Sequence, residues 1–356
     1  MTRAQELADD LFRPRAQGAD QGDIHGQVGD NVKLLAEAGY FGLSISTEYG
    51  GLGADETTRR EYAELIASAC GVTAFVQQQL HAGGFFGGAP DEQFRREMLT
   101  QFAAGEKFCG VAFAHLRRPA PPTVTAERVS GGYLVNGVAP WVTGWSLLDG
   151  FTLGAVMGDK HLFVYVPKEG NGDSLTPGPR IPLAVMNASD TVEVKMTDLF
   201  IPERALLSLR PTEALRHSDH CSITGHVYLP LGCARGSIHY LRSLAAKRSN
   251  PRLTEVADAF DEEVDRCRAD ALAWTGACAG LPEYKERALH VRASAIVLAV
   301  RAAHAAVTAT GGSAHLLTQP PQRLLREAIF YTTTAQTHDV QAETLDLLVS
   351  PDCWGA

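Results

Sequence analysis

Three stretches of the chain gather side chains able to do chemistry. PWVTGW (140–145) sets one hydroxyl, Thr143, between two indoles, Trp141 and Trp145, with no charge among them. Such surface suits a flat aromatic ligand beside a fixed polar group, and it equally suits core packing. RHSDHCSITGH (216–226) collects His217, Asp219, His220, Cys221 and His226. These are metal-ligand types, yet the HExxH spacing is missing and no second cluster completes a tetrahedral set. We therefore read no metal site here, and take Ser218 or Asp219 as a helix cap with the histidines near the first turns. Two glycine clusters, GGLG (50–53) and ATGGSAHL (309–316), invite a nucleotide reading. The first lacks GxGxxG spacing and a preceding parallel strand, and the second has no Lys-Ser or Lys-Thr after it, so neither the dinucleotide fingerprint nor the P-loop is present.

The chain that must position these residues has 356 of them, enough for two or three domains. A hydrophobic share of 45% with 21% charged residues is that of a globular protein. The net charge of −9 argues against a nucleic-acid footprint. The apolar stretch ASAIVLAVRAAHAAV is broken by Arg301 and His304 and reads as a buried helix, not a membrane span. No basic start followed by an apolar run marks a secretory signal. The seven cysteines (70, 109, 221, 233, 267, 278 and 353) form no CxxC pair and are odd in number, which fits reduced thiols in a cytoplasmic protein.

Periodicity divides the chain in three: residues 1–105 helical, 106–208 strands, and 209–356 helical again. DNVKLLAEAGYFGL and TTRREYAELIASACG carry apolar stripes at helical spacing and stop at Gly39 and Gly71. In the middle, GGYLVNGVAPWV places Asn-Gly between apolar runs, a hairpin signal; FTLGAVM-GDK-HLFVYVP reads as a second hairpin, and DTVEVKM alternates. RLTEVADAFDEEVDRCRADALAW predicts one long helix. A second runs from PEYKERALHVRASAIV to Gly311-Gly312, with Pro282 in its first turn, and PPQRLLREAIFYTTTAQTHDVQAETLDLLV predicts a third. The expected fold is α+β: an N-terminal helical domain, a small β-barrel or sandwich, and an antiparallel four-helix bundle.

In order along the chain, LAEAGYFGLSISTEYGGLGAD, GGYLVNGVAPWVTGWSLLDGF, DTVEVKMTDLFIPERALL and ATGGSAHLLTQPPQRLLREA resemble segments of the acyl-CoA dehydrogenase superfamily. The resemblance implies an FAD site. In it Trp141 and Val142 lie against the flavin, Thr143 hydrogen-bonds near N5, and Phe113 and His115 stand at the flavin-contacting turn. Gly311 and Gly312 would let the backbone approach the FAD diphosphate across a subunit interface, with Arg248 as a further diphosphate contact. It also implies an acyl thioester substrate and a homodimer or homotetramer, or a hetero-oligomer with a homologous chain.

The family's catalytic carboxylate has no counterpart at its usual places. Counting from Arg326 puts Ala335 there, and the alternative position is Ser222. The loop AHLRRPAPP also departs from the family pattern, with His115 replacing a threonine and Arg117 and Arg118 added. Three substitutes are open: Asp339, four residues after Ala335 and hence on the same helical face, with His338 beside it; His220 or Asp219 on the first bundle helix; or a base from a partner subunit. The leading expectation is α,β-dehydrogenation of an acyl thioester. Flavin-dependent monooxygenation, suited by histidines such as His115 and His338, and a non-catalytic subunit are the alternatives.

Overall fold

The computed structural model describes residues 1–80, 83–118 and 121–350; Pro119 and Ala120 of AHLRRPAPP, and Cys353, lie outside them. Helices come first: α1 (Thr2–Glu6), α2 (Arg13–Gln21), α3 (Gly29–Glu37), α4 (Glu56–Ala69), α5 (Gly71–Gln79), α6 (Gly83–Phe86) and α7 (Glu92–Ala103). α3 ends before Gly39, whose φ of 77° is left-handed, and Asp55 caps α4 by accepting from the Thr58 amide. The stripes foreseen on both helices face inward: Val32 and Leu35 on α3, Tyr62 and Ile66 on α4.

Eight strands follow: β1 (Cys109–Ala112), β2 (Val124–Val129), β3 (Gly132–Val142), β4 (Gly150–Met157), β5 (Lys160–Pro167), β6 (Leu175–Arg180), β7 (Val192–Pro202) and β8 (Leu206–Pro211). They form one mixed sheet in the order β6-β7-β3-β2-β4-β5-β8, with β1 parallel to β4. The β4–β5 hairpin is present and turns at Gly158, φ 62°. β7 alternates as its sequence does, with Val192, Val194 and Met196 buried.

The last third is helical: α8 (Glu213–Cys221), α9 (Tyr228–Arg248), α10 (Pro251–Ala273), α11 (Tyr284–Thr310), α12 (Pro320–Thr333) and α13 (His338–Val349). α9 and α11 share an apolar core with α10, through Leu231, Ile238, Val264, Ala295 and Leu298. The N-terminal helices dock on this bundle at two glycines of α9. A Cβ on Gly232 would fall 2.5 Å from the Glu64 carbonyl, and one on Gly236 would fall 2.7 Å from that of Ser68. α11 is long and apolar enough to cross a membrane, but its Ala288, Ala295, Ala299 and Ala303 face are buried within the protein.

Several sequence expectations are corrected. Asn136-Gly137 is no hairpin turn but a bulge inside β3, where Gly137 has φ 130° and a Cβ would sit 2.1 Å from the Thr123 carbonyl. Asn136 instead exchanges hydrogen bonds with Asp198 on β7. The β2–β3 turn lies at Gly131, φ 81°. The sheet continues to Pro211, past residue 208. Pro282 precedes α11 and is not in its first turn. Ser218 and Asp219 lie within α8, not at a cap, so His220 and Asp219 precede the first bundle helix. The third long helix breaks between α12 and α13, where Ala335 turns left-handed at φ 50°. Asp339 and Ala335 therefore share no helical face.

Candidate functional site

A cavity of about 930 Å³ opens between the β-domain and the helices that follow it. The sheet side contributes His115 and Arg117 from the turn after β1, and His161 from β5. The helical side contributes Asp219 and His220 from the end of α8, Lys285 from the start of α11, and His338 and Asp339 from the start of α13. Five segments remote in sequence thus converge. This happens because α8 follows directly on β8, while α13 packs on the N-terminal half of α11 through Val340, Tyr284 and Leu289.

The side chains in the cavity differ in freedom. His115 is 4% exposed, and its Nε2 donates to the Gly154 carbonyl at 2.8 Å. Burial, the largest influence, holds its pKa below the usual histidine value despite that bond. Asp219 receives both ends of the Arg117 guanidinium, at 2.6 and 2.9 Å, tying sheet to helix across the cavity. Asp339 is paired with Lys285 at 2.7 Å. His220 donates from Nε2 to the Ala279 carbonyl at 3.3 Å and packs edge-on against Tyr284. His338 alone of the candidate bases has no hydrogen-bonding or ionic partner among the described residues. Ser222 closes α8 and Ala335 lies in the α12–α13 turn, and neither can accept a proton from carbon.

The residues assigned to the cofactor fall in three places. At the end of β3, Trp141 is 43% exposed, Val142 is fully buried opposite Val192, and Thr143 is buried with its hydroxyl 2.9 Å from that of Thr191. Phe113 stands edge-on to Phe85 and Phe163 beside the His115 turn. At the far end of α11, Arg248 donates to the Ala309 carbonyl at 2.6 Å and to that of Thr310 at 3.3 Å, next to Gly311 and Gly312. Gly311 has φ 78°, and a Cβ on either glycine would meet nothing within 4 Å. Trp145 is half-buried and packs against the core beside Phe151. Among the described residues no three His, Cys, Asp or Glu side chains gather as a metal-binding group.

The chemistry of these groups suits parts of FAD: an open indole face next to a fixed hydroxyl and, elsewhere, bare glycine backbone beside an arginine. Of the cofactor candidates only His115 lines the large cavity, whose wall carries cationic side chains. Periodicity gave no sign of a second, smaller cavity. It measures about 210 Å³ and lies between Tyr40, Tyr62 and Ile66 on one side and Ala74, Gln78 and Leu229 on the other.

Comparison with known proteins supports the fold. The family described as acyl-CoA dehydrogenase, N-terminal domain, matches residues 1–106. A probable acyl-CoA dehydrogenase of Bacillus subtilis (strain 168) is 24% identical over 376 residues, covering 96% of both chains. Among solved structures, a glutaryl-CoA dehydrogenase from Mycobacterium smegmatis in complex with FADH2 superposes with a TM-score of 0.81. It is 18% identical, over 98% of this chain and 93% of that one. The 3-HSA hydroxylase of Rhodococcus sp. RHA1 gives a TM-score of 0.77 at 19% identity, over 100% of this chain and 96% of that one. Over residues 1–106 the chain matches that family, and over nearly its whole length it is similar to an acyl-CoA dehydrogenase and shares the fold of these solved structures.

Proposed function

We propose that the chain binds FAD and removes hydrogen from the α and β carbons of an acyl thioester, with a base relocated to the start of α13. The observation that carries this reading is the convergence of His115, His220, His338 and Asp339, chosen from separate stretches of sequence, on one cavity. FAD, when bound, supplies the two-electron acceptor. Trp141 and Thr143 would hold its ring, and Gly311, Gly312 and Arg248 its diphosphate, the latter from a second copy of the chain.

The chain's own part is to take the proton from the α carbon. Asp219 is committed to Arg117 and Asp339 to Lys285, so each carboxylate would have to leave its cation to take a proton from carbon. His338 has no such partner among the described residues, and an imidazole is the side chain most often used as a general base. We assign it as the base, with Asp339 beside it to balance the imidazolium that forms.

The test is an absorption spectrum of the purified protein before and after anaerobic addition of mixed acyl-CoAs. Bleaching of a yellow protein supports the reading; a protein that stays colourless with added FAD overturns it. Trp141→Ala should weaken FAD retention at least tenfold by equilibrium dialysis, and normal retention would remove the indole from the flavin site. A second reading, flavin-dependent hydroxylation using oxygen, is favoured by the four imidazoles of His115, His161, His220 and His338 around one cavity. A yellow protein untouched by acyl-CoA that consumes oxygen when given a flavin reductase would select it.

A further inference from the structure

α11 carries a deeply buried charge, Arg292. Arg292 is 2% exposed, on the helix face between Ala288 and Ile296, inside the apolar cluster that holds Leu289 and Val340. Among the described residues no carboxylate pairs with it, and its Nη1 has no hydrogen-bond partner. Burial lowers its pKa to about 9, so it stays charged at neutral pH. Nearby His226 is held neutral, by burial first and then by Arg292 and Arg117. An unpaired guanidinium in an apolar core is a poor stabiliser, and an apolar side chain of its size commonly serves stability as well or better.

What Arg292 does make is one bond, from Nη2 to the Thr334 carbonyl at 2.8 Å. That carbonyl lies where the chain leaves α12, a point at which helix carbonyls lose their intrahelical donors. The next residue, Ala335, is left-handed, Gln336 and Thr337 follow, and the Thr337 hydroxyl caps α13 at the Val340 amide. Gln336, Thr337, His338 and Asp339 all line the large cavity.

We propose that Arg292 is a positioning residue: by anchoring the Thr334 carbonyl it fixes the turn that presents residues 336–339 to the ligand. This rests on the cavity's being the active site, but the anchoring itself can be read without flavin or substrate. Lysine would not replace it, because its ammonium sits on a shorter stem and falls short of the place from which Nη2 reaches the Thr334 carbonyl.

The experiment compares the full-length wild type with Arg292→Met and Arg292→Lys by hydrogen exchange, melting temperature and acyl-CoA-driven flavin reduction. In the methionine variant, exchange at 335–339 should quicken at least tenfold while α9 and α10 keep their protection and melting does not fall. Flavin reduction should slow at least tenfold with FAD retained, and lysine should recover less than half of either loss. Unchanged exchange at 335–339, or quickening spread evenly over the bundle, would overturn the proposal. If the methionine variant does not fold, the wild type decides: amides 335–337 exchanging as fast as unstructured peptide overturn the anchoring, and protected ones uphold it. If exchange responds but wild-type flavin never bleaches, the anchor stands and the dehydrogenase reading falls.

Discussion

At the scale of single residues, the cavity separates side chains that are present from side chains that are free. Two of its carboxylates are locked in ion pairs, and its most buried histidine donates to a backbone carbonyl. His338 is the candidate base with neither ring nitrogen engaged among the described residues. His338→Asn should lower the rate of flavin reduction by acyl-CoA by about 10²–10⁴-fold, the usual worth of a general base. Asp339→Asn should lower it by less. Stopped-flow measurement of both variants checks this ranking, and a larger loss at Asp339 would move the base there. Asp339 is about half exposed, so breaking its pair with Lys285 should leave stability nearly unchanged.

At the scale of elements, the helices hold together by close approach. The four-residue spacing of Gly232 and Gly236 lets α9 pack on the backbone of α4 at the Glu64 and Ser68 carbonyls. Gly236→Val should destabilise the protein by about 1–3 kcal/mol through overpacking, read by urea unfolding. A neutral result would mean that α4 can slide, and that the contact sets no register. The break between α12 and α13 has the greatest functional consequence among the elements. It gives residues 336–339 a path along the cavity that a continuous helix would deny them.

At the scale of the whole molecule, two expectations follow from burial and exposure. His115 and His161 are both held below the ordinary histidine pKa, chiefly by burial, so on acidification the unfolded chain takes up their protons before the folded one does. Stability should therefore fall as pH drops below about 6.5, by at most about 1.4 kcal/mol per pH unit for each histidine. Melting temperatures between pH 7.5 and 5 test this, and a flat profile would show that neither ring is held neutral. Leu316, Leu317, Ile329 and Leu345 are each more than half exposed on or near α12 and α13. Apolar surface of this kind marks association sites, so light scattering should find an oligomer, and Ile329→Asp should shift it toward monomer.

Local patterns determined much of this protein unaided. The stripes of α3, α4 and α10, the alternation of β7 and the β4–β5 turn are properties of neighbouring residues, and the three-part order of helices, strands and helices follows from them. What local pattern could not decide is where a chain bends when distant groups reward the bend. Asn136-Gly137 became a bulge because Asp198 and Thr123, far along the chain, meet it, and the predicted last helix broke beside a carbonyl that Arg292 holds. The candidate bases were named from the sequence, but their freedom was not legible there. Lys285 and Arg117 reach Asp339 and Asp219 only through the packing of α11 and α8 around the cavity, and ion pairs between segments this remote are set by tertiary structure alone.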